Sequence, residues 1–259
     1  MMSDTKHGVS VVVPTFREAA NIAPLTRRIF STLRTAGIDG ELILVDDDSR
    51  DGTEESVKTL ADHHPVRLVV RRGERGLSGA VLCGFQDSRF DRLLVLDADL
   101  QHPPERIPDL LACLDNPDCD FVLGTRYHAG GSVSGEWPAM RRLVSFLATL
   151  AARPLAPMSD PMSGFFALPR DVWLRADKLN PIGYKIALEL YVKGRCRRPT
   201  EVPIQFGTRA AGTSKASLRE GLRFFRHLWR LYWYRFPRMM AMGCAALAIL
   251  IVALVLWVA

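Results

Sequence analysis

Five apolar runs, rich in Val, Ile and Leu, recur along the first half of the chain, and longer stretches with helical spacing separate them. VSVVV (9–13), ELILV (41–45), VRLVV (66–70), RLLVL (92–96) and DFVLG (120–124) have almost no polar face to turn to water. Strands of this kind belong in a parallel sheet covered on both sides. Between them, 21–35, 53–63, 76–88 and 104–114 read as helices, with Asn21, Ser49 or Asp51, and Ser78 available as caps. The β-α-β-α rhythm predicts an α/β fold, a mostly parallel sheet flanked by helices, whose ligands sit beyond the carboxyl ends of the strands. After 124 the rhythm loosens. The Gly/Ser-rich stretch 127–137 predicts a mobile loop, 139–152 a helix, SGFFALP (163–169) and EVPIQF (201–206) further strands, and 207–214 another loop.

Composition narrows the class. With 48% hydrophobic and 24% charged residues the chain is neither disordered nor collagen-like. The five cysteines form no C-x-x-C pair and follow no signal-peptide pattern, which argues against a disulfide scaffold or structural zinc and for a reducing surrounding. The net charge of +6 is unevenly placed. Residues 1–218 hold 28 basic and 27 acidic side chains, whereas 219–238 hold six arginines against Glu220 alone. In that basic stretch Leu222, Phe225, Trp229, Trp233 and Phe236 recur at helical spacing, the pattern of an amphipathic helix lying in a headgroup layer. Residues 239–259 carry no charge, and a helix of that length would span a bilayer core of roughly 30 Å. The expected organisation is therefore a main domain over 1–215, an amphipathic juxtamembrane helix over 216–237 and a C-terminal transmembrane helix over 238–259. By the positive-inside rule the main domain would lie on the cytoplasmic face, in a bacterium that of the inner membrane. Adjacency to the apolar run makes a nucleic-acid patch the weaker account of the arginines, so no nucleic-acid partner is expected.

Carboxylates gather where two strands end, as Asp46-Asp47-Asp48 after the second run and as Asp97-Ala98-Asp99 after the fourth. Asp97 and Asp99 alternate onto one side of an extended segment. Two carboxylates that close repel unless a cation lies between them, and oxygen ligands suit Mg²⁺ or Mn²⁺ shared with a substrate diphosphate. His102 follows closely enough to be a metal ligand or to act from behind one. Gly73, Gly76 and Gly79 miss the dinucleotide-binding spacing, and neither H-E-x-x-H nor G-x-S-x-G occurs.

VVVPTFRE (11–18), LVDDDSRDGT (44–53), LDADLQHPPE (96–105), GTRY (124–127) and the R-x₅-K of Arg209 and Lys215 occur in that order. Together they resemble the family 2 glycosyltransferases of GT-A fold, and more narrowly the dolichyl/polyprenyl-phosphate mannose synthases. The resemblance implies inverting transfer of mannose from GDP-mannose to a polyprenyl monophosphate at a membrane. A UDP-glucose or other UDP-sugar donor is the alternative within the class, and an inactive scaffold subunit the alternative outside it. Carried across, Pro14, Phe16, Glu18, Val45 and Asp47 would hold the nucleotide. Asp97, Ala98, Asp99 and Gln101 would hold the diphosphate-sugar, with Asp97, Asp99 and Gln101 at the metal. Arg126, Arg141 and Ser145 would hold the lipid phosphate, and Arg209 and Lys215 would close on the donor diphosphate. Asp97, Asp99, Arg126 and Arg141 are the catalytic candidates. Phe16 and Arg17 stand where the family usually has Tyr and Asn. An acceptor phosphate is already anionic at pH 7, so no catalytic base is needed.

Overall fold

The computed structural model describes residues 8–73, 75–127, 131–133, 139–180, 182, 185–207 and 218–258. Side chains at 133, 139–143, 218–220, 247 and 251–258 lie outside that description. In chain order the elements are β1 (Val9–Thr15), α1 (Ala19–Thr35), β2 (Gly40–Asp46), α2 (Thr53–Ala61), β3 (Val66–Val70), α3 (Leu77–Asp87), β4 (Arg92–Val95) and a 3₁₀ turn (Pro104–Arg106) running into α4 (Ile107–Leu114). There follow β5 (Phe121–Thr125), β6 (Ser132–Val133), α5 (Ala139–Ala152), β7 (Phe166–Pro169), α6 (Arg170–Arg175), α7 (Ile186–Lys193), β8 (Pro199–Pro203), β9 (Gln205–Phe206), α8 (Leu218–Arg235) and α9 (Pro237–Val258).

Seven strands form one sheet in the order β3-β2-β1-β4-β7-β5-β8, and β6 pairs with β9 apart from it. The first four are mutually parallel, β5 is parallel to β8, and β7 runs antiparallel between β4 and β5. Alternation along each strand splits the core into two. Val9, Val11, Val13, Leu42, Leu44 and Leu94 face α1, α2 and α4 through Ile22, Leu25, Val57 and Leu110. Val12, Ile43, Val45, Leu93 and Val95 face α3, α7 and α8 through Val81, Phe85, Leu190 and Leu228. Gly84 lets α3 lie close on that second face, since a Cβ there would stand 2.4 Å from a methyl of Val12. The mostly parallel α/β sheet is thus as expected. The Gly/Ser-rich stretch differs from its expectation in carrying β6, whose Ser132 N–H donates to the Ile204 carbonyl.

Two helices were not anticipated, α6 and α7. The latter (IALELYVK) is buried at every position and so lacks the polar face that marks a surface helix. The start of α2 is tied by Asp51, whose carboxylate accepts from Thr53 N and Oγ1 and, across the domain, from Ala19 N at the head of α1.

The C-terminal expectation requires correction. Among the described residues no helix is long and apolar enough to cross a membrane. Helix α9 runs from Pro237 to Val258 and carries the charge of Arg238 in its first turn. The transmembrane helix over 238–259 is therefore withdrawn, and with it the membrane location and cytoplasmic-face assignment, which rested on a span. Helix α8 packs one face on the domain. Phe224, Leu228, Leu231 and Tyr232 pack into the sheet's core, and the Tyr232 hydroxyl donates to the Ala151 carbonyl of α5 at 2.8 Å. Leu222, Phe225, Trp229 and Trp233 point outward.

Candidate active site

In the strand order, chain direction across the sheet reverses at β1 and β4: β2 and β3 lie to one side of β1, and later strands lie beyond β4. A crevice opens at the carboxyl ends at such a switch point. Arg17, after β1, Asp48 and Arg50, after β2, and Leu100, after β4, all have positive φ without being glycine. Backbone strain of that kind gathers where a chain is bent to place side chains.

The three consecutive aspartates after β2 do different work. Asp46 is buried and accepts from Thr15 Oγ1, Ser49 N and Ser49 Oγ, which ties the first two strand ends together. Asp47 is buried too, with Oδ1 2.9 Å from Arg71 Nη1 and Oδ2 accepting from Gly76 N at 2.7 Å. Asp48 is half-buried, and the hydrogen bond from Arg50 lowers its pKa. Among the nucleotide-site candidates, Phe16 is half-buried, with the guanidinium groups of Arg75 and Arg17 at 4.8 and 5.2 Å from its ring centre. Pro14 is half-buried beside it, and Glu18 accepts from the Asn21 amide at 2.7 Å. Val45 is different: its side chain is fully enclosed in the core, so any ligand contact there must come from its backbone.

After β4, Asp97 is partly exposed, whereas Ala98 and Asp99 are buried. Asp99 Oδ1 accepts from Gln101 N at 3.2 Å, across the turn made by Leu100 (φ 63°). Gln101 grips Gly207 twice: its Nε2 donates to the Gly207 carbonyl at 2.9 Å, and Gly207 N donates to the Gln101 carbonyl at 2.8 Å. With Nε2 committed, the amide oxygen is the atom left to face a cation. No group of three or more His, Cys, Asp or Glu among the described residues could hold a metal by itself. Two carboxylates and an amide oxygen fit a Mg²⁺ or Mn²⁺ that takes its remaining ligands from substrate phosphates and water.

The acceptor-side candidates only partly meet. Arg126, just past β5, makes a bidentate pair with Asp160: Nε to Oδ2 at 2.7 Å and Nη2 to Oδ1 at 2.8 Å, the carboxylate fully buried. Burial opposes the charged guanidinium, but the hydrogen bonds and charge of Asp160 outweigh it and the Arg126 pKa is raised. Tyr127 reaches α5, its hydroxyl 3.2 Å from Ser145 Oγ. Arg141 is on α5 one turn before Ser145, but its side chain, like Arg209 and Lys215 as a whole, lies outside the described residues.

Asp160 and Lys185 went unnoticed in the sequence. The Lys185 ammonium donates to the Met162 carbonyl at 2.6 Å, and burial, then the charge of Arg126, pull its pKa down to about 8. The antiparallel strand explains their arrival. β7 pairs Val95 with Phe166, so continuing the register by two residues sets Gly164 opposite Asp97. The segment from Asp160 to Gly164 therefore touches Arg126, Lys185 and Asp97 in turn. A Lys ahead of the mostly apolar stretch IALELYV and an Asp-Pro step ahead of a strand were the available signals.

With this geometry in view, residues 10–174 match the family described as Glycosyl transferase family 2. The dolichol-phosphate mannosyltransferase of Mycosarcoma maydis is 43% identical over 256 residues, covering 96% of this chain and 86% of its own. That of Saccharomyces cerevisiae is 44% identical over 243 residues, covering 88% of each. Among solved structures, glucosyl-3-phosphoglycerate synthase from Mycobacterium tuberculosis, in complex with Mn²⁺, UDP-glucose and phosphoglyceric acid, superposes with a TM-score of 0.65 at 22% identity, over 89% of this chain and 80% of that one. At that identity the likeness speaks for the fold alone. The chain belongs to glycosyl transferase family 2, a glycosyltransferase related to the dolichol-phosphate mannosyltransferases.

Proposed function

We propose that the protein transfers mannose from GDP-mannose to a polyprenyl or dolichyl-type monophosphate, with inversion at the anomeric carbon. The observation that carries the reading is the meeting, at one switch point, of a strand-end carboxylate pair with a buried arginine and lysine. The relatives' activity supplies the choice of sugar and lipid. Phe16 and the Arg71–Asp47 pair line the side toward β1 and β2, where a nucleotide would lie. Asp97, Asp99 and Gln101 would hold Mg²⁺ or Mn²⁺. When bound, the cation neutralises charge that builds on the diphosphate as the anomeric bond breaks. Arg126, fixed by Asp160, and Ser145, held by Tyr127, would orient the acceptor phosphate. Arg141, Arg209 and Lys215 keep the roles that the family resemblance implies. An acceptor already anionic needs alignment rather than deprotonation, so positioning carries much of the barrier reduction.

The test is a panel of GDP- and UDP-sugars supplied to the purified chain with polyprenyl phosphate, with Mg²⁺ or with EDTA, scored by radiolabel entering the lipid phase. GDP-mannose should label lipid only when the divalent cation is present. Label arriving from UDP-glucose alone would replace the donor assignment. Unchanged lipid glycosylation in an Asp99→Ala variant would point to a scaffold instead.

A further inference from the structure

We propose that His102 and Gly164 together set the direction of the Asp97 carboxylate, His102 acting as a hydrogen-bond acceptor on the Asp97 main chain and not as a metal ligand. The inference rests on the reading of Asp97 and Asp99 as the cation site.

The Asp97 backbone N–H donates to His102 Nδ1 at 3.1 Å. A ring nitrogen that accepts is unprotonated and has its lone pair committed, so the proton sits on Nε2 and Nδ1 has nothing left for a metal. The ring cannot swing to offer another arrangement. It is 3% exposed, between Phe165 and Phe206 at centroid separations of 5.4 and 5.3 Å. The left-handed turn at Leu100 is what folds the chain back and brings His102 under Asp97. Nδ1 is also 3.6 Å from Asp97 Oδ2, so the ring stands against both the main chain and the carboxylate of the same residue.

Gly164 bounds the same carboxylate from the β7 side. A Cβ there would stand 3.1 and 3.3 Å from the two Asp97 oxygens and 3.4 Å from His102 Cε1. A side chain at 164 would push the carboxylate aside by a few tenths of an ångström while resting in ordinary contact with the imidazole. Asp97 is thereby held by its backbone on one side and given a measured gap on the other. The Phe206 ring, against His102, also carries the Arg126 guanidinium 5.2 Å from its centre. The imidazole thus lies in one packed stack between the cation site and the acceptor-side arginine.

Three variants of the full chain test this. His102→Phe keeps ring volume and removes the acceptor. His102→Asn removes the ring but presents an amide oxygen near the place of Nδ1. Gly164→Ala narrows the gap. The readouts are Mn²⁺ affinity by electron paramagnetic resonance with GDP or, in a parallel arm, UDP, and hydrogen exchange of the Asp97 amide in metal-free protein. Altering a group that orients a metal ligand weakens binding about 10- to 100-fold. That loss is expected for His102→Phe and Gly164→Ala, with His102→Asn within about threefold of the natural chain on the same scale. Faster Asp97 exchange is expected in His102→Phe alone. Natural Mn²⁺ affinity in His102→Phe, or in Gly164→Ala should the Phe variant not fold, overturns the inference. Equal, complete loss of Mn²⁺ in folded His102→Asn and His102→Phe also overturns it and makes the imidazole a ligand. A natural chain that binds no Mn²⁺ with either nucleotide removes the cation site itself, and this inference with it.

Discussion

The buried Arg126–Asp160 pair offers a sharp test of how the site beyond β5 is built. Asp160 is fully buried and Arg126 nearly so, its side chain 11% exposed, and two of their hydrogen bonds are near 2.7 Å. Removing one partner from a buried pair costs about 3–5 kcal/mol, because the other charge stays behind in a poor solvent. The residual exposure of Arg126 lets water recover part of that, so Asp160→Ala should lose about 3 kcal/mol, the lower end of that range. At about 2–4 °C per kcal/mol for a chain of this size, the melting temperature should fall by about 6–12 °C. Replacing both partners by apolar side chains of similar volume is often neutral, since no charge is then stranded. The double variant Arg126→Met/Asp160→Leu should therefore regain about 2 kcal/mol over Asp160→Ala while lipid glycosylation stays abolished. Thermal unfolding by circular dichroism measures the first quantity and lipid-phase radiolabel the second. An Asp160→Ala variant as stable as the natural chain, or a double variant no more stable than the single one, would refute the reasoning. Stability regained together with activity would show that the pair is not kept for function.

Asp99→Ala should lower Mg²⁺-dependent transfer by about 10²–10³-fold, in the range seen when one group stabilising developing charge is removed, and titrating Mg²⁺ to saturation should not restore it. Lys185 gives a pH signature. Its folded pKa of about 8 lies below the unfolded value of about 10.4, so the unfolded chain holds the proton longer and the natural chain should gain stability as pH rises from 8 toward 10. Urea midpoints at pH 7.5 and 9.5 should show that gain shrinking in Lys185→Met. Gly84→Ala should cost about 1–3 kcal/mol by overpacking α3 against β1, without altering the KM for donor, as denaturant unfolding and donor titration would report.

Much of the fold was legible because its signals are local. Five apolar runs announced β1 to β5, and helical spacing announced α1 to α5 to within a few residues. The carboxylate pair was legible for the same reason, since Asp97 and Asp99 are two residues apart at a strand end. Helix α7 was not, because a helix buried all round has no amphipathic period to read. The apolar run at the chain's end suggested a span through composition and length. Neither settles whether a span forms, and among the described residues no helix is long and apolar enough for one.

Residue type and spacing were enough to anticipate an α/β sheet with acidic strand ends. They could not rank the three consecutive aspartates, which are alike in the chain. Folding makes Asp46 a staple between strand ends, pairs Asp47 with Arg71, and leaves Asp48 half-buried beside Arg50. Nor could they find the segment 160–164, which is remote in sequence from everything it touches. Its place follows from one antiparallel strand slotted between β4 and β5, and strand pairing across such distances depends on which edges meet in three dimensions. The charges were written in the sequence; their partners were set by that pairing.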